Sequence, residues 1–310
     1  MEYIHDIEEF CLTRPCAVTL GKFDGIHRGH QKLIEEVRRE AEEKNLISAV
    51  FTFDGMPLSL VPQQEQHFLS TNYERHEILE RLGIDVEVEY PFTESFMRMP
   101  PEEFIEKILV ERMKAKVIVV GTDYCFGKDR AGNAKMLEDY AEKYGYKAIV
   151  MEKERYQNRI ISSTYVREEL MRGSMETVNA LLGRPYTILG NVSMGSQIGR
   201  TIDMPTMNIY PSTRKLLPPN GVYASKSMFE GKTWYGVTDI GVRPTVGDGH
   251  QIRVETNLFD FEGDGEGYGK RLEVSLLHFL RSETKFDSLE ALKAQMKQDA
   301  EFARKMFMMD

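Results

Sequence analysis

The chain has 310 residues, 41% of them hydrophobic and 29% charged, with a formal net charge of -9. That length exceeds what one small core organises, so two domains are expected. The acid surplus excludes DNA or RNA as the main partner, because binding a phosphate backbone needs an excess of Lys and Arg.

Cys11, Cys16 and Cys125 cannot all pair with one another and form no Cys-x-x-Cys, which predicts a reduced, cytoplasmic protein. Met1 to Phe10 carry four acids and no apolar run, unlike a signal peptide. No apolar stretch approaches membrane-spanning length, so no membrane partner is expected.

Ala17 to Leu20 reads as a buried strand, followed by the loop Gly21-Lys-Phe-Asp24-Gly25-Ile-His27-Arg-Gly29-His30 and a helix to about Lys44. A loop between a parallel strand and a helix start gathers backbone N–H groups and the positive end of the helix dipole, which suits a phosphate. His27 and His30, three apart, can both donate to one anion, and Gly21, Gly25 and Gly29 let a ligand approach the backbone. Two incidental histidines, or half of a zinc site, are the alternatives. Neither His5 nor His67 sits in a motif that would complete such a site.

Ile47 to Phe53 is the next strand. Helical patterns follow over about 73–82 and 101–113, then a strand at Val117 to Val120, a helix over about 133–144 and a strand at Lys147 to Val150. Strands alternating with helices predict a doubly wound parallel sheet with ligands at the carboxyl ends of its strands. At that end, Gly121 to Gly127 includes Asp123 and Phe126 and can form a pocket for a planar ring. Ser162-Ser163-Thr164 then precedes a helix. An N-cap explains it, yet Arg167 stands where a capping box places Glu, against the helix dipole, as fits a bound phosphate.

Two short helices, about 164–172 and 175–182, lead to Gly183, the expected boundary between domains 1–183 and 184–310. Five β-like segments follow, at about 186–192, 221–229, 234–240, 252–259 and 271–279, with no helices between them. They predict a small antiparallel β-barrel, closed by an amphipathic terminal helix over about 288–306. Gly195 to Gly199 and Arg200, assigned to the nucleotide, form no Walker A loop because Gly-Lys-Ser/Thr is missing. Thr206 and Asn208, spaced by two in Pro205-Thr-Met-Asn208, put two neutral oxygens on one side of an extended segment. That suits Mg²⁺, which takes few protein ligands. A Pro-Thr turn with a buried Asn is the alternative.

The His27-Arg-Gly29-His30 element and Ile161-Ser-Ser163-Thr164-Tyr-Val-Arg167 resemble the two signatures of nucleotidylyltransferases. With Gly121 to Gly127 they are similar to the FAD synthetase module of bacterial bifunctional riboflavin kinase/FAD synthetases, a likeness that covers essentially the whole chain. Pro205 to Asn208 resembles the Pro-Thr-Ala-Asn motif of riboflavin kinases, Asp239-Ile-Gly-Val-Arg-Pro-Thr245 their Asn-Ile-Gly-x-x-Pro-Thr/Ser segment, and Arg281 to Phe286 their closing segment.

The resemblance implies that His27 and His30 stabilise charge on ATP phosphates during FMN adenylylation, with Ser163, Thr164 and Arg167 holding the nucleotide. Asp24 and Asp123 are implied to orient ligands. In the second half Glu255 matches the general base, with Thr206 and Asn208 at Mg²⁺. ATP is the implied co-substrate, and riboflavin, FMN and FAD are substrates and products.

Departures are visible. Asp54-Gly-Met-Pro57 replaces a Pro-His-Pro turn, Asp203-Met204 replaces Gly-Phe, Met207 replaces Ala and Asp239 replaces Asn. The competing readings are an FMN adenylyltransferase with a weakened kinase half, an adenylyltransferase for another substrate with an unrelated barrel, and a flavin-binding regulator without chemistry.

Overall fold

The structure, a computed structural model, describes residues 1–53, 67–194, 204–244, 250–261 and 267–308. The Asp54 to Pro57 turn, Gly195, Gly199, Arg200, Asp203 and Thr245 lie outside the described residues. The chain divides into two compact units, Met1–Ser163 and Thr164–Asp310.

In the first unit β1 (Glu2–His5), β2 (Cys16–Leu20), α1 (Arg28–Lys44), β3 (Ile47–Phe53), α2 (Asn72–Arg81) and β4 (Val86–Tyr90) come first. A short α3 (Glu94–Met97) follows, then α4 (Pro101–Glu103), which runs on as a π-helical stretch, Phe104–Arg112. Next are β5 (Ala115–Gly121), the small ribbon β6 (Cys125–Phe126) with β7 (Gly132–Asn133), α5 (Ala134–Tyr144), β8 (Lys147–Met151) and a second ribbon, β9 (Arg155–Tyr156) with β10 (Arg159–Ile160). The six long strands pair in parallel in the order β1-β4-β3-β2-β5-β8.

Both faces of this sheet are covered, and its central strands β2, β3 and β5 are accordingly mostly apolar. Alternate residues of one strand serve opposite faces. Ala17 joins Val117 and Val119 against Ile34 and Val37 of α1. Val18 and Ile118 pack on the other side with Phe104, Leu109 and Leu137. From β2 the chain moves outward through β3 to β4, then returns to place β5 on the other side of β2. The order therefore reverses between β2 and β5, and their carboxyl ends flank the crevice where such sheets bind ligands.

The expected strands and helices are present, with ends shifted by a few residues, and α1 begins at Arg28 instead of about His30. Over 101–113 the expected helix is wound partly with wider turns, as in the Met113 N–H to Ile108 carbonyl bond at 2.9 Å. β1 and β4 were not anticipated. β4 reads Val-Glu-Val-Glu-Tyr, and acids at alternate positions normally face water, yet Glu87 and Glu89 are both buried. Arg75 of α2 donates from Nε to Glu87 at 2.9 Å and pairs through Nη2 with Glu89. Asn72 and Tyr3 complete Glu89, each at 2.6 Å, and His76 meets Glu87 at 2.9 Å.

The second unit opens with α6 (Ser163–Met171, less its first residue) and α7 (Met175–Leu182). Then come β11 (Tyr186–Asn191), β12 (Met207–Ile209), β13 (Gly221–Phe229), β14 (Lys232–Pro244), β15 (His250–Leu258), β16 (Arg271–Ser282) and α8 (Leu289–Phe307). The strands form an antiparallel sheet ordered β11-β16-β13-β14-β15-β12. Its two edge strands meet where the Ser193 N–H donates to the Asn208 carbonyl at 2.7 Å, giving the barrel-like closure expected. Val254, Thr256 and Leu258 point inward, whereas Arg253, Glu255 and Asn257 point outward. Arg281 of β16 holds α8 through Asp299, with contacts of 3.1, 3.1 and 2.8 Å. Among the described residues no helix is long and apolar enough to cross a membrane.

Removing one partner from a buried charge cluster strands the others in low dielectric. Arg75→Ala should therefore cost the first unit about 3 kcal/mol, read as faster hydrogen exchange of β3 and β4 amides. Unchanged protection there would contradict a structural role for the cluster.

Candidate active sites

The first site is built on the turn that leaves β2. Phe23 (φ 48°) and Ile26 (φ 39°) both adopt left-handed backbone angles although neither is glycine, and both are fully buried. Such conformations cost on the order of 1–3 kcal/mol each, and packing holds them. Further bonds pin the turn. Ser163 Oγ donates to the Asp24 carbonyl at 2.9 Å, Gln31 Nε2 to the Ile26 carbonyl at 2.9 Å, and the Ser70 N–H to Asp24 Oδ1 at 3.3 Å.

The strained turn delivers His27 as the N-cap of α1. Its Nδ1 accepts the His30 N–H at 3.3 Å, which leaves the ring proton on Nε2. The two imidazoles stack with centroids 3.7 Å apart and an interplanar angle of 14°. A Cβ at position 29 would lie 3.2 Å from the His27 ring, which is why a glycine stands there.

These groups edge a cavity of about 690 Å³ at the carboxyl ends of β2, β5 and β8. Gly21, His27, Gly29, His30, Asp123, Phe126 and Ser163 all line it, so the structure brings these sequence candidates together. Asp24 and Gly25 (φ 81°) do not line it and serve the turn. Thr164 and Arg167 continue α6 in the second unit, Thr164 exposed and Arg167 half-buried.

The far wall is aromatic. Phe53, Phe92, Phe96, Phe104, Tyr124 and Phe126 form a chain of contacts, among them Phe96–Phe104 at 5.9 Å, Phe104–Phe126 at 5.3 Å and a stacked Tyr124–Phe126 pair at 5.7 Å. Gly132 makes room for the Phe126 ring, since a Cβ there would come within 2.6 Å of it. A polar edge facing an apolar wall suits a ligand that is part phosphate and part flat ring.

Two ion pairs at this cavity were missed from sequence: Lys153 with Asp123 at 2.7 Å and Arg28 with Glu154 at 2.8 Å. The usable signal was position alone, because Lys153 and Glu154 follow β8 at the ligand-binding end of the sheet.

The second site lies on the outward face of the barrel sheet. Asn208 of β12 is in register with Glu255 of β15, Glu255 with Asp239 of β14, Asp239 with Val222 of β13, and Val222 with Arg281 of β16. Residues in register share a face, so this row crosses five strands. Most of the row lines a cavity of about 230 Å³, whose apolar side is Val222, Val237, Phe286, Leu292 and Met296.

Thr206 Oγ1 donates a short hydrogen bond to Glu255 Oε1, and Arg253 Nη2 meets Glu255 Oε2 at 2.8 Å. The Asn208 Oδ1 is buried and accepts no hydrogen bond from the described residues. Thr206 uses its proton on Glu255 and keeps its oxygen lone pairs. Two neutral oxygens with acceptor capacity to spare are what a hard divalent cation takes. Met207 is buried in the barrel, away from this face. Arg253 and Glu283 were not singled out from sequence. Arg253 stands two residues before Glu255, the spacing that puts strand neighbours on one face.

Burial, followed by the charge of Glu283, pushes the Asp239 carboxyl up to about 6, with Arg253 pulling the other way.

The chain matches the FAD synthetase family over residues 11–165 and the riboflavin kinase family over residues 182–307. It is 35% identical over 309 residues to a protein of Buchnera aphidicola named bifunctional riboflavin kinase/FMN adenylyltransferase, covering 98% of this chain and 97% of that one. The Escherichia coli K12 protein of the same name is 35% identical over 294 residues, covering 94% and 93%. A solved structure called a macrolide-efflux protein from Streptococcus pneumoniae superposes with a TM-score of 0.87 at 32% identity, covering 97% and 98%. That likeness is one of fold, and the efflux name describes that protein.

A raised carboxyl pKa means the folded state holds the proton more tightly than the unfolded chain does. The stability present below the unfolded value near 4 is lost as pH rises through about 6. Asp239→Asn should therefore raise the melting temperature of the second unit at about pH 7.5 and leave it unchanged near pH 4. A gain of equal size at both pH values would contradict this.

Proposed function

The chain belongs to the bifunctional riboflavin kinase/FMN adenylyltransferase family, and on that premise we propose how its halves divide the two reactions. Residues 1–183 adenylylate FMN to FAD with release of pyrophosphate, and residues 184–310 phosphorylate riboflavin to FMN. The observation that carries this division is the chemistry of the two cavities. One has stacked histidines at a helix start, and the other has a carboxylate held by a threonine and an arginine.

In the first reaction the FMN phosphate is already an anion near neutral pH, so it attacks the α-phosphorus of ATP without a general base. The new phosphate–phosphorus bond forms as the bond to the β-phosphate oxygen breaks. The protein must hold both reactants and stabilise charge that grows on the transferring and leaving phosphates. His27, through its protonated Nε2, His30 and the first amides of α1 are assigned that role. Ser163, Thr164 and Arg167 are assigned the nucleotide phosphates. Gly21 and Gly29 permit close approach, Asp123 orients the ligand, and the flavin ring is placed against the Phe126 wall.

In the second reaction the riboflavin 5′-hydroxyl must lose a proton as its oxygen attacks the γ-phosphorus and ADP leaves. Glu255 accepts that proton. Thr206 and Asn208 would hold Mg²⁺, consistent with the acceptor capacity of both side chains. When bound, the metal supplies neutralisation of charge on the phosphates. The flavin ring is placed on the apolar side formed by Val222, Leu292 and Met296. The assignment of Gly195, Gly199 and Arg200 to ATP rests on the sequence alone.

His30→Ala in the full chain should slow FAD formation from FMN at least about tenfold, or about 1.4 kcal/mol of barrier, with FMN formation intact. Loss of both activities in parallel would contradict separate sites. Glu255→Gln should lower FMN formation about a hundredfold or more while FAD formation from supplied FMN continues. Normal phosphorylation would remove Glu255 from the mechanism.

A further inference from the structure

The second site carries more acid than proton transfer requires. Asp239 and Glu255 are cross-strand neighbours on one face. Glu283, just beyond β16, reaches over Gly241 into the same space. A Cβ on Gly241 would lie 2.2 Å from Glu283 Oε1 and 3.6 Å from Asp239 Oδ2. Three carboxylates thus converge where a polyanionic nucleotide has to deliver its terminal phosphate. Among the described residues lining this cavity the cations are Arg253 and Arg281, and Arg281 is bound bidentately to Asp299.

Arg253 stands among the acids. Its Nη2 lies 2.8 Å from Glu255 Oε2 and 3.8 Å from Asp239 Oδ2. Because Thr206 holds Oε1 and Arg253 holds Oε2, the Glu255 carboxylate is gripped at both oxygens and cannot rotate freely. A carboxylate offers about four acceptor positions, so two remain for a substrate hydroxyl. The guanidinium facing Asp239 offsets the charge of that carboxylate.

We propose that Arg253 is a positioning residue of the kinase reaction: it aims Glu255 at the flavin hydroxyl and compensates Asp239, so that the acid cluster tolerates the incoming nucleotide. This rests on the reading of Glu255 as the general base. Arg253 touches neither substrate nor nucleotide in this account, and its effect passes through the two carboxylates. Its loss therefore lowers kcat and leaves riboflavin binding nearly unchanged, because the apolar side of the cavity does not involve it.

The test uses the full chain and compares kcat and KM for FMN formation in Arg253→Gln, Arg253→Lys and the double variant Arg253→Gln/Asp239→Asn. Arg253→Gln should lower kcat about tenfold or more with the riboflavin KM within about threefold. Arg253→Lys keeps the charge without the planar fork and should fall about threefold. The double variant should regain at least about threefold over Arg253→Gln, a recovery that a purely structural arginine would not show. A kcat for Arg253→Gln within about twofold of the parent, or no recovery in the double variant, overturns the proposal.

Should the glutamine variant misfold, Arg253→Lys decides alone, and parental kcat there overturns the proposal. Glu255→Gln assayed in parallel separates the two claims. Retained FMN formation in that variant defeats the base assignment, whereas an inactive Glu255→Gln beside a normal Arg253→Gln defeats this inference only.

Discussion

The reaction proposed for the first unit needs donors fixed before the substrate arrives, and the candidate donors there are set by one strained turn. Phe23 and Ile26 take backbone angles that side-chain residues avoid, and the turn persists because both side chains are fully buried beneath the sheet's first crossover helix. The conformation sets where α1 begins. It makes His27 the cap and fixes the tautomer through the His30 amide, so the ring stack faces the carboxyl ends of β2 and β5. Without the apolar anchors, two histidines three residues apart would still lie near a helix start, but no shared orientation would be imposed on them.

The second unit meets the same requirement differently. An antiparallel sheet has no strand-end crevice lined with helix starts. The candidate site is instead a row of side chains in register, running from Asn208 through Glu255 and Asp239 across neighbouring strands. Period-two alternation sends Val254 and Thr256 into the barrel and turns Arg253, Glu255 and Asn257 toward the cavity on the other face. The fold is thereby separated from the site along a single strand, and α8, tied down by Arg281 and Asp299, roofs the result.

Much of this was legible in the sequence where local physics decides. The strand Ile47–Phe53 and the helix Met175–Leu182 fall where apolar periodicity places them. The histidine pair and Glu255 were found through residue type, spacing and resemblance. What escaped depends on tertiary pairing. Glu87 and Glu89 of β4 are neutralised in the core by Arg75, twelve and fourteen positions earlier in the chain, a pairing no local pattern announces. Phe92 and Phe96 reach the cavity only because α3 folds against Phe53. Arg253 carries no motif, and its place beside both Glu255 and Asp239 follows from strand register.

The central claim is that two chemically distinct phosphate sites in one chain act in series on a single flavin. The direct measurement is a time course of the purified full chain with riboflavin, ATP and Mg²⁺, with the flavins separated at each interval. The account predicts that FMN appears first and that FAD follows at its expense. If riboflavin persists unphosphorylated while supplied FMN also fails to become FAD, the account is contradicted.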